Sequence, residues 1–488
     1  MTVQADVNRL TPYDEIIIKI VDYTYDYEIK SDAAWRRATS ALLDALGVAV
    51  ESIATSAECV KLLGPIPPAA KKVPNGFRLP GTSYQLDILK GAFDMGSVIR
   101  YLDHNDAFPG AEWGHPSDNL GAILATADVC SRVAVSEGRP DGVLSMKGVL
   151  TALIKAYEIQ GVFQIRNAFN RVGLDHVILV KIASTAVISW LMGLTKEAAR
   201  AAVSHAWADG HPLRVYRQAP NTGPRKGWAA GDACMRAVHL ALLAQSGQPG
   251  IRSSLSAPKW GFYNVLFGGN QFDLPKEFGT WVVETVAFKI DTAEGHAITA
   301  AEAAWNIARQ MKERGLNPAD IAKVDVRTQQ AAMIIINKNG DLHNPADRDH
   351  CLRYIVAVIL LKGDQIVTED YQNDSPWATD PRVDELRKRI HMVEDPQMTE
   401  DYHDPQTRSV SNALQITMKD GTQLDEVRID FPKGHARRPE TAHMLLTKAK
   451  NNLALGFSEE KVERIINTFQ RGDFAQIPVH EVIDLFAL

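Results

Sequence analysis

The stretch RYLDHNDAFPGAEWGHPSDNLGAIL, residues 100–124, gathers Arg100, Asp103, His104, Asp106, Glu112, His115 and Asp118 around a single tryptophan, Trp113. Apolar segments of helical texture flank it. Connections between helices in compact domains usually take about 2–8 residues, so a junction this rich in titratable groups asks for a reason. Carboxylates beside histidines suit general acid–base work, because one group can take a proton while another gives one. The same acids could instead cap helix ends or pair with Arg100, and the pattern alone leaves both readings open.

Three helix starts share an odd feature. GHPSDN places His115 before Pro116, a residue favoured at the first helical position. GLDHVILV places Asp175 at a cap and His176 in the first turn, and NTGPRKGWAAGDA places Pro224, Arg225 and Lys226 at a helix head. A helix N-terminus carries partial positive charge, so a cation there costs about 0.3–1 kcal/mol. A bound anion reverses that balance, since free N–H groups and cationic side chains then act together. Each instance alone is what a packed or solvated residue would give; the three together point to a polyanion site.

Other chemistries lack their marks. There is no G-x-G-x-x-G and no G-x-x-x-x-G-K-[ST], and neither G-x-S-x-G nor H-E-x-x-H occurs. Cys59, Cys130, Cys234 and Cys351 are scattered with no Cys-x-x-Cys pair, so no metal, cluster or other cofactor is expected. Aromatic residues are not interleaved with basic ones as single-strand binding requires.

Helices must hold these groups, and the first 270 residues read as almost entirely helical. SDAAWRRATSALLDALGVAVES opens on Ser31 as a cap and repeats apolar residues at three and four. YQLDILKGAFDMGSVI, LGAILATADVCSRV, SMKGVLTALIKAYEIQGVF, HVILVKIASTAVISWLMGL, TKEAARAAVSHAWADG and GDACMRAVHLALLAQSG follow suit. Near Trp281 the texture changes. TWVVETVAFKI and KVDVRT read as strands, HAITAAEAAWNIARQMKERG and ADRDHCLRYIVAVILLKG as helices, and PRVDELRKRIHMV as a short helix. ALQITMKDGTQLDEVRIDF reads as a hairpin whose Asp420-Gly421 supplies a positive-φ pair. The expected fold is mainly α with a second α+β domain: a large all-helical domain over 1–276, a smaller α+β lid with a mostly antiparallel sheet over 277–435, and helices over 436–488 returning to the first domain.

A chain of 488 residues exceeds a single core. Hydrophobic content of 45% and charged content of 23% are those of an ordinary soluble protein, and a net charge of −6 offers no general basic surface to nucleic acid. No run of about 18 apolar residues exists, so no membrane span is expected. MTVQADVNRLTPYDEIIIKIVDY lacks the order of a signal peptide and carries acids early, so a cytoplasmic location is expected.

EWGHPSDNLGAILATADVCSR, NRVGLDHVILVKIASTAV, RQAPNTGPRKGWAAGDA, NPADRDHCLRYIVA and DYHDPQTRSVSNALQITMKDGT closely resemble the dehydratase branch of the MmgE/PrpD family. The resemblance runs end to end, through KLLGPIPP, VPNGFRLPGT and GHARR. It implies a homodimeric cytoplasmic hydro-lyase of propionate breakdown that dehydrates the tricarboxylate 2-methylcitrate, has its site between helical domain and lid, and needs no metal. Residue by residue it implies catalytic roles for Asp103, His115, His176 and Lys226, and looser lid matches at Lys289, Glu294 and His296. Ala107 stands where decarboxylase relatives carry a threonine, and their lid tyrosine has no clear counterpart near Asn337 and Lys338.

The expected chemistry is loss of a C–H proton beside a carboxylate, with charge developing on that carboxylate. Lys226 and Arg225 would stabilise that charge, with Lys289, Glu294 and His296 completing the substrate contacts. His176, kept neutral by its helix start, is the expected base. His115, oriented by Asp103, is the expected acid, and the reverse assignment stays open. Decarboxylation of cis-aconitate and a non-catalytic carboxylate-binding scaffold are the competing readings.

Overall fold

The computed structural model describes residues 12–66, 72–217, 222–404 and 407–488. The reading of the chain start lies outside these as far as residue 11. Eight long helices build the first part: α1 (Glu15–Asp26), α2 (Asp32–Thr55), α3 (Ile88–Arg100), α4 (Leu120–Ser136), α5 (Met146–Arg166), α6 (Val177–Leu191), α7 (Lys196–Ala208) and α8 (Arg225–Gln245). Ser31 caps α2 as its spacing predicts, its hydroxyl accepting from the Ala34 N–H at 3.2 Å. By length and composition α2 could cross a membrane, yet Ala38, Leu42, Ala45, Leu46 and Ala49 are all buried in the first core. Helix α6 is buried almost all round, as the central helix of a bundle must be.

Three glycines let α3, α4 and α8 touch backbone to backbone. A Cβ on Gly96 would lie 2.8 Å from the Cα of Gly231, and one on Gly121 would lie 2.7 Å from the Cα of Gly96. Side chains cannot occupy such gaps. This contact brings the end of α3, which carries Arg100, beside the start of α8, which carries Lys226.

The second part packs α9 (Ile298–Glu313) and α10 (Leu352–Lys362) with a four-stranded sheet. A two-stranded ribbon of β1 (Phe77–Arg78) and β2 (Gln85–Leu86) precedes it in the chain. The sheet comprises β3 (Ile321–Thr328), β4 (Ile390–Glu394), β5 (Asn412–Met418) and β6 (Val427–Ile429), in the order β4-β3-β5-β6. Val324 faces Ile390 across a parallel pairing and Ile416 across an antiparallel one; β5 and β6 are antiparallel. Helices α11 (Thr441–Ala454) and α12 (Glu459–Phe469) rejoin the first core through Leu445, Leu453, Ile465 and Phe469.

Five local expectations need correction. TWVVETVAFKI is not a strand: Trp281–Thr285 is a helix. Buried Glu158 caps it, accepting from the Gly279 and Val282 N–H groups at 3.0 and 2.8 Å, and this tertiary contact overrides the β propensity of three valines. ADRDHCLRYIVAVILLKG is not one helix but two, Pro345–Asp349 and α10, broken at His350 and Cys351. PRVDELRKRIHMV divides into a helix, Pro381–Lys388, and strand β4, because Ile390 and Met392 enter the lid core beside β3. At the hairpin only Gly421 has positive φ, at 88°; Asp420 instead accepts the Thr422 N–H at 2.9 Å. YQLDILKG becomes helical only at Ile88, where Asp87 accepts from Leu89 and Lys90.

Candidate active site

The titratable junction after α3 folds inward. Asp103 stands in the left-handed region at φ 56°, a strain of about 1–3 kcal/mol for a residue with a Cβ. Its carboxylate is held by Arg100 at 2.5 Å and by Lys289 at 2.7 Å. Lys226 at 4.0 Å and His350 at 3.9 Å stand further out. Burial alone would raise its pKa, but Arg100, Lys289, Lys226 and His115 hold it well below the usual carboxylate range.

His115 and His176 lie with ring centroids 5.6 Å apart. The two rings are wired differently. His115 Nδ1 is 2.6 Å from the Asp106 carbonyl oxygen, an acceptor, so Nδ1 carries the proton. Its Nε2 therefore accepts, from the Arg100 guanidinium at 2.9 Å. Burial, with Arg100 and Lys289 adding to it, keeps the ring neutral by lowering its pKa well below the ordinary value.

His176 sits at the cap of α6 with Nδ1 3.5 Å from Asp175. Its Nε2 is buried with no hydrogen-bond partner among the described residues. Burial pushes its pKa well down against the opposing pull of Asp175, and Arg217, Arg100 and Arg214 add to the depression. Arg217 gives its Nε–H to Asp175 at 2.6 Å, while both its terminal nitrogens are buried and unpartnered among the described residues.

From the lid, Glu294 and His296 face this group. His296 Nδ1 is 2.8 Å from Glu294 Oε1, its Nε2 is 3.2 Å from the Tyr402 hydroxyl, and its ring centroid lies 4.4 Å from that of Trp113. Burial would raise Glu294, but His296 and His350 pull the other way and the carboxyl is held at about 2. The helix break at His350 completes the lid side: Asp349 receives Lys226 at 2.7 Å and His350 Nδ1 at 2.5 Å. Arg100, Asp103, His115, His176, Arg217 and His296 thus line a chamber of about 30 Å³, room for a water or two. No group of three or more His, Cys, Asp or Glu placed to hold a metal occurs among the described residues.

Residues 18–275 match the family model of the MmgE/PrpD N-terminal domain, and residues 292–471 match that of the C-terminal domain. The chain belongs to the MmgE/PrpD family. It is 65% identical over 483 residues to the 2-methylcitrate dehydratase-like protein oryR of Aspergillus oryzae, covering 99% of this chain and 97% of that one. It is 50% identical over 488 residues to the 2-methylcitrate dehydratase of Escherichia coli K12, covering 99% and 100%. The alkylcitrate dehydratase phiI of a fungal species is 48% identical over 479 residues, covering 97% and 94%.

In this MmgE/PrpD chain Asp103, His115, His176, Lys226, Lys289, Glu294 and His296 converge, all buried. Arg225 does not join them, and the substrate contact expected of it is withdrawn. Neighbouring helical residues point about 100° apart, so Arg225 turns outward, 4.2 Å over the Trp228 ring and 3.6 Å from Asp232. The contacts do not favour the acid role expected of His115: its Nδ1–H is bound to a carbonyl and its Nε2 accepts from Arg100. Lys226 is paired with Asp349 rather than open to a ligand. Ala107 is buried and pairs its backbone with Ala287 at 2.8 and 3.0 Å. The sequence reading missed Arg214, Arg217 and the Asp349–His350 pair. Asn344-Pro345, a cap followed by a first-turn proline, was a readable sign of a short separate helix there; nothing local marks Arg217.

Proposed function

We propose that this chain is a 2-methylcitrate dehydratase, a hydro-lyase that removes water from 2-methylcitrate to give 2-methyl-cis-aconitate. One observation carries the reading: the terminal nitrogens of Arg217 and Nε2 of His176, buried at one chamber, have no hydrogen-bond partner among the described residues. Such groups cost about 1–3 kcal/mol each when buried unpaired, so their place is explained by a ligand with anionic groups and an acidic C–H. Full-length relatives that bear the dehydratase name, at 50% identity and above, support it.

His176 takes the proton from the carbon next to a carboxylate. Charge grows on that carboxylate, and Arg217 and Arg100 stabilise it where it develops. The hydroxyl leaves as water with a proton from His296, whose Nδ1 is held by Glu294. Asp103 holds Arg100 and Lys289 in register, and Lys226 braces Asp349 on the lid side. A chamber of about 30 Å³ is too small for a tricarboxylate, so the lid parts to admit it and closes to exclude water. The seam between the two hydrophobic cores is the frame for that motion. Action as a cytoplasmic homodimer in propionate catabolism, without a metal, without a membrane and without nucleic acid, belongs to the same proposal.

Purified chain mixed with 2-methylcitrate isomers should produce the ultraviolet absorbance of an unsaturated tricarboxylate, and chelator should not abolish it. Release of CO₂ from cis-aconitate without dehydration, or binding without turnover, would overturn the reading.

A further inference from the structure

Trp113 belongs to the loop between α3 and α4 and lines the catalytic chamber. Its Nε1 is buried, with no hydrogen-bond partner among the described residues. A buried indole N–H usually finds an acceptor, and leaving the bond unmade is costly. Trp207 Nε1 lacks one too, but that ring sits among Phe163, Phe262 and Phe272, where packing accounts for it. Trp113 instead has polar company. Its ring centroid lies 4.4 Å from that of His296, and Arg100, Arg214, Arg217 and Glu294 share the chamber with it. The ring is also seated on the lid: a Cβ on Gly295 would fall 2.0 Å from its Cζ2 and 2.6 Å from Cε2, the atom bonded to Nε1. Glycine there lets this part of the indole close against the lid beside His296.

We propose that the Trp113 N–H binds the substrate, donating to the carboxylate on the carbon that loses its hydroxyl. The inference rests on the dehydratase reading, in which His296 gives a proton to that hydroxyl. Carboxylate and hydroxyl share one carbon, so a donor packed against the His296 ring meets the first when the imidazole meets the second. An indole N–H donates and never accepts, which suits a carboxylate. It also carries no net charge. A cation so close would oppose protonation of His296, and an indole does not. Arg217 and His176 are left for the neighbouring carbon and its own carboxylate.

The test compares two unreactive ligands by calorimetry at neutral pH. Tricarballylate has the three carboxylates without the hydroxyl, and glutarate lacks the central carboxylate as well. Trp113→Phe should weaken tricarballylate about 10- to 100-fold, the range for a hydrogen bond to a charged group, and leave glutarate unchanged. Its kcat/KM for 2-methylcitrate should fall by a similar factor. Benzothienylalanine placed at position 113 puts sulfur where the N–H stands and keeps the ring on Gly295. It should reproduce both losses with the thermal midpoint unmoved, which a packing role would not do. Tricarballylate binding within threefold of the parent's in that variant overturns the inference, as does an equal loss for glutarate or a parent that binds no tricarballylate. A parent that binds tricarballylate without turning over 2-methylcitrate overturns the dehydratase reading instead, and the binding comparison still decides the role of the indole.

Discussion

His176 and His296 differ in what their second nitrogen meets, and that difference separates their proposed roles. His176→Gln should stop exchange of the substrate C–H with solvent deuterium and lower turnover about 10²–10⁴-fold, the usual range for a lost acid–base group. His296→Gln should lose as much turnover while exchange into unreacted substrate persists. Exchange lost in the second and kept in the first would reverse the assignment. Because burial holds the His176 pKa well below its ordinary value, the neutral, proton-accepting form survives acidification. The acid limb of kcat/KM should therefore fall below about pH 6.5, the unperturbed histidine value; a limb at that value would place the base elsewhere. Arg217→Lys keeps the charge beside Asp175 but loses the two-pronged donor. It should lower kcat/KM about 10–100-fold, and a variant within threefold of the parent would remove Arg217 from the site.

At the scale of elements, the glycine contact of α3, α4 and α8 sets the site's spacing. Gly96→Ala would force backbones apart where no flexible side chain can yield. It should cost about 1–3 kcal/mol, the range for overpacking, read as a lower urea midpoint. Arg100 lies one turn along from Gly96 on the same helix, so turnover should fall as well. A variant of parental stability would mean that the helices can slide without penalty. Trp281–Thr285 and the break at His350 illustrate what sequence patterns miss. A run of valines signals burial, but the carboxylate of Glu158, 124 residues from Val282, decides that the backbone coils. In the second case the break separates Asp349 and His350 from α10 and lets Asp349 meet Lys226 and His350 approach Asp103.

Across the whole molecule, one buried lysine joins three distant segments. Lys448 on α11 donates to the carbonyls of His104 at 2.8 Å and Lys289 at 2.6 Å, and pairs with Asp44 at 2.8 Å. Nearby, Glu51 joins His104, Thr368 of the lid and Asn452 of α11 at 2.7, 2.7 and 2.9 Å. The C-terminal helices thus brace both Asp103, next to His104, and the catalytic-side Lys289. Lys448→Met leaves Asp44 buried without its partner and should destabilise the fold by about 3–5 kcal/mol. Thermal unfolding unchanged within a degree would refute that bracing.

By itself the sequence determined the helical first part, the cap at Ser31 and the chemistry-rich junction at 100–119. All of these are local: apolar spacing, capping side chains and charge placed at helix starts act within a few residues. Cations at helix starts, unfavourable without an anion, also marked His115, His176 and Lys226, whereas Lys289, Glu294 and His296 rested on the family resemblance. Tertiary structure alone decided which nitrogen of His115 carries its proton, that Arg225 faces outward, that Lys226 is already paired, and that Arg217 is not fully paired. Those outcomes depend on partners brought from distant segments, such as Asp349 to Lys226 or Lys289 to Asp103. Burial then acts on each group through the sum of its surroundings, a quantity that no short stretch of the chain contains.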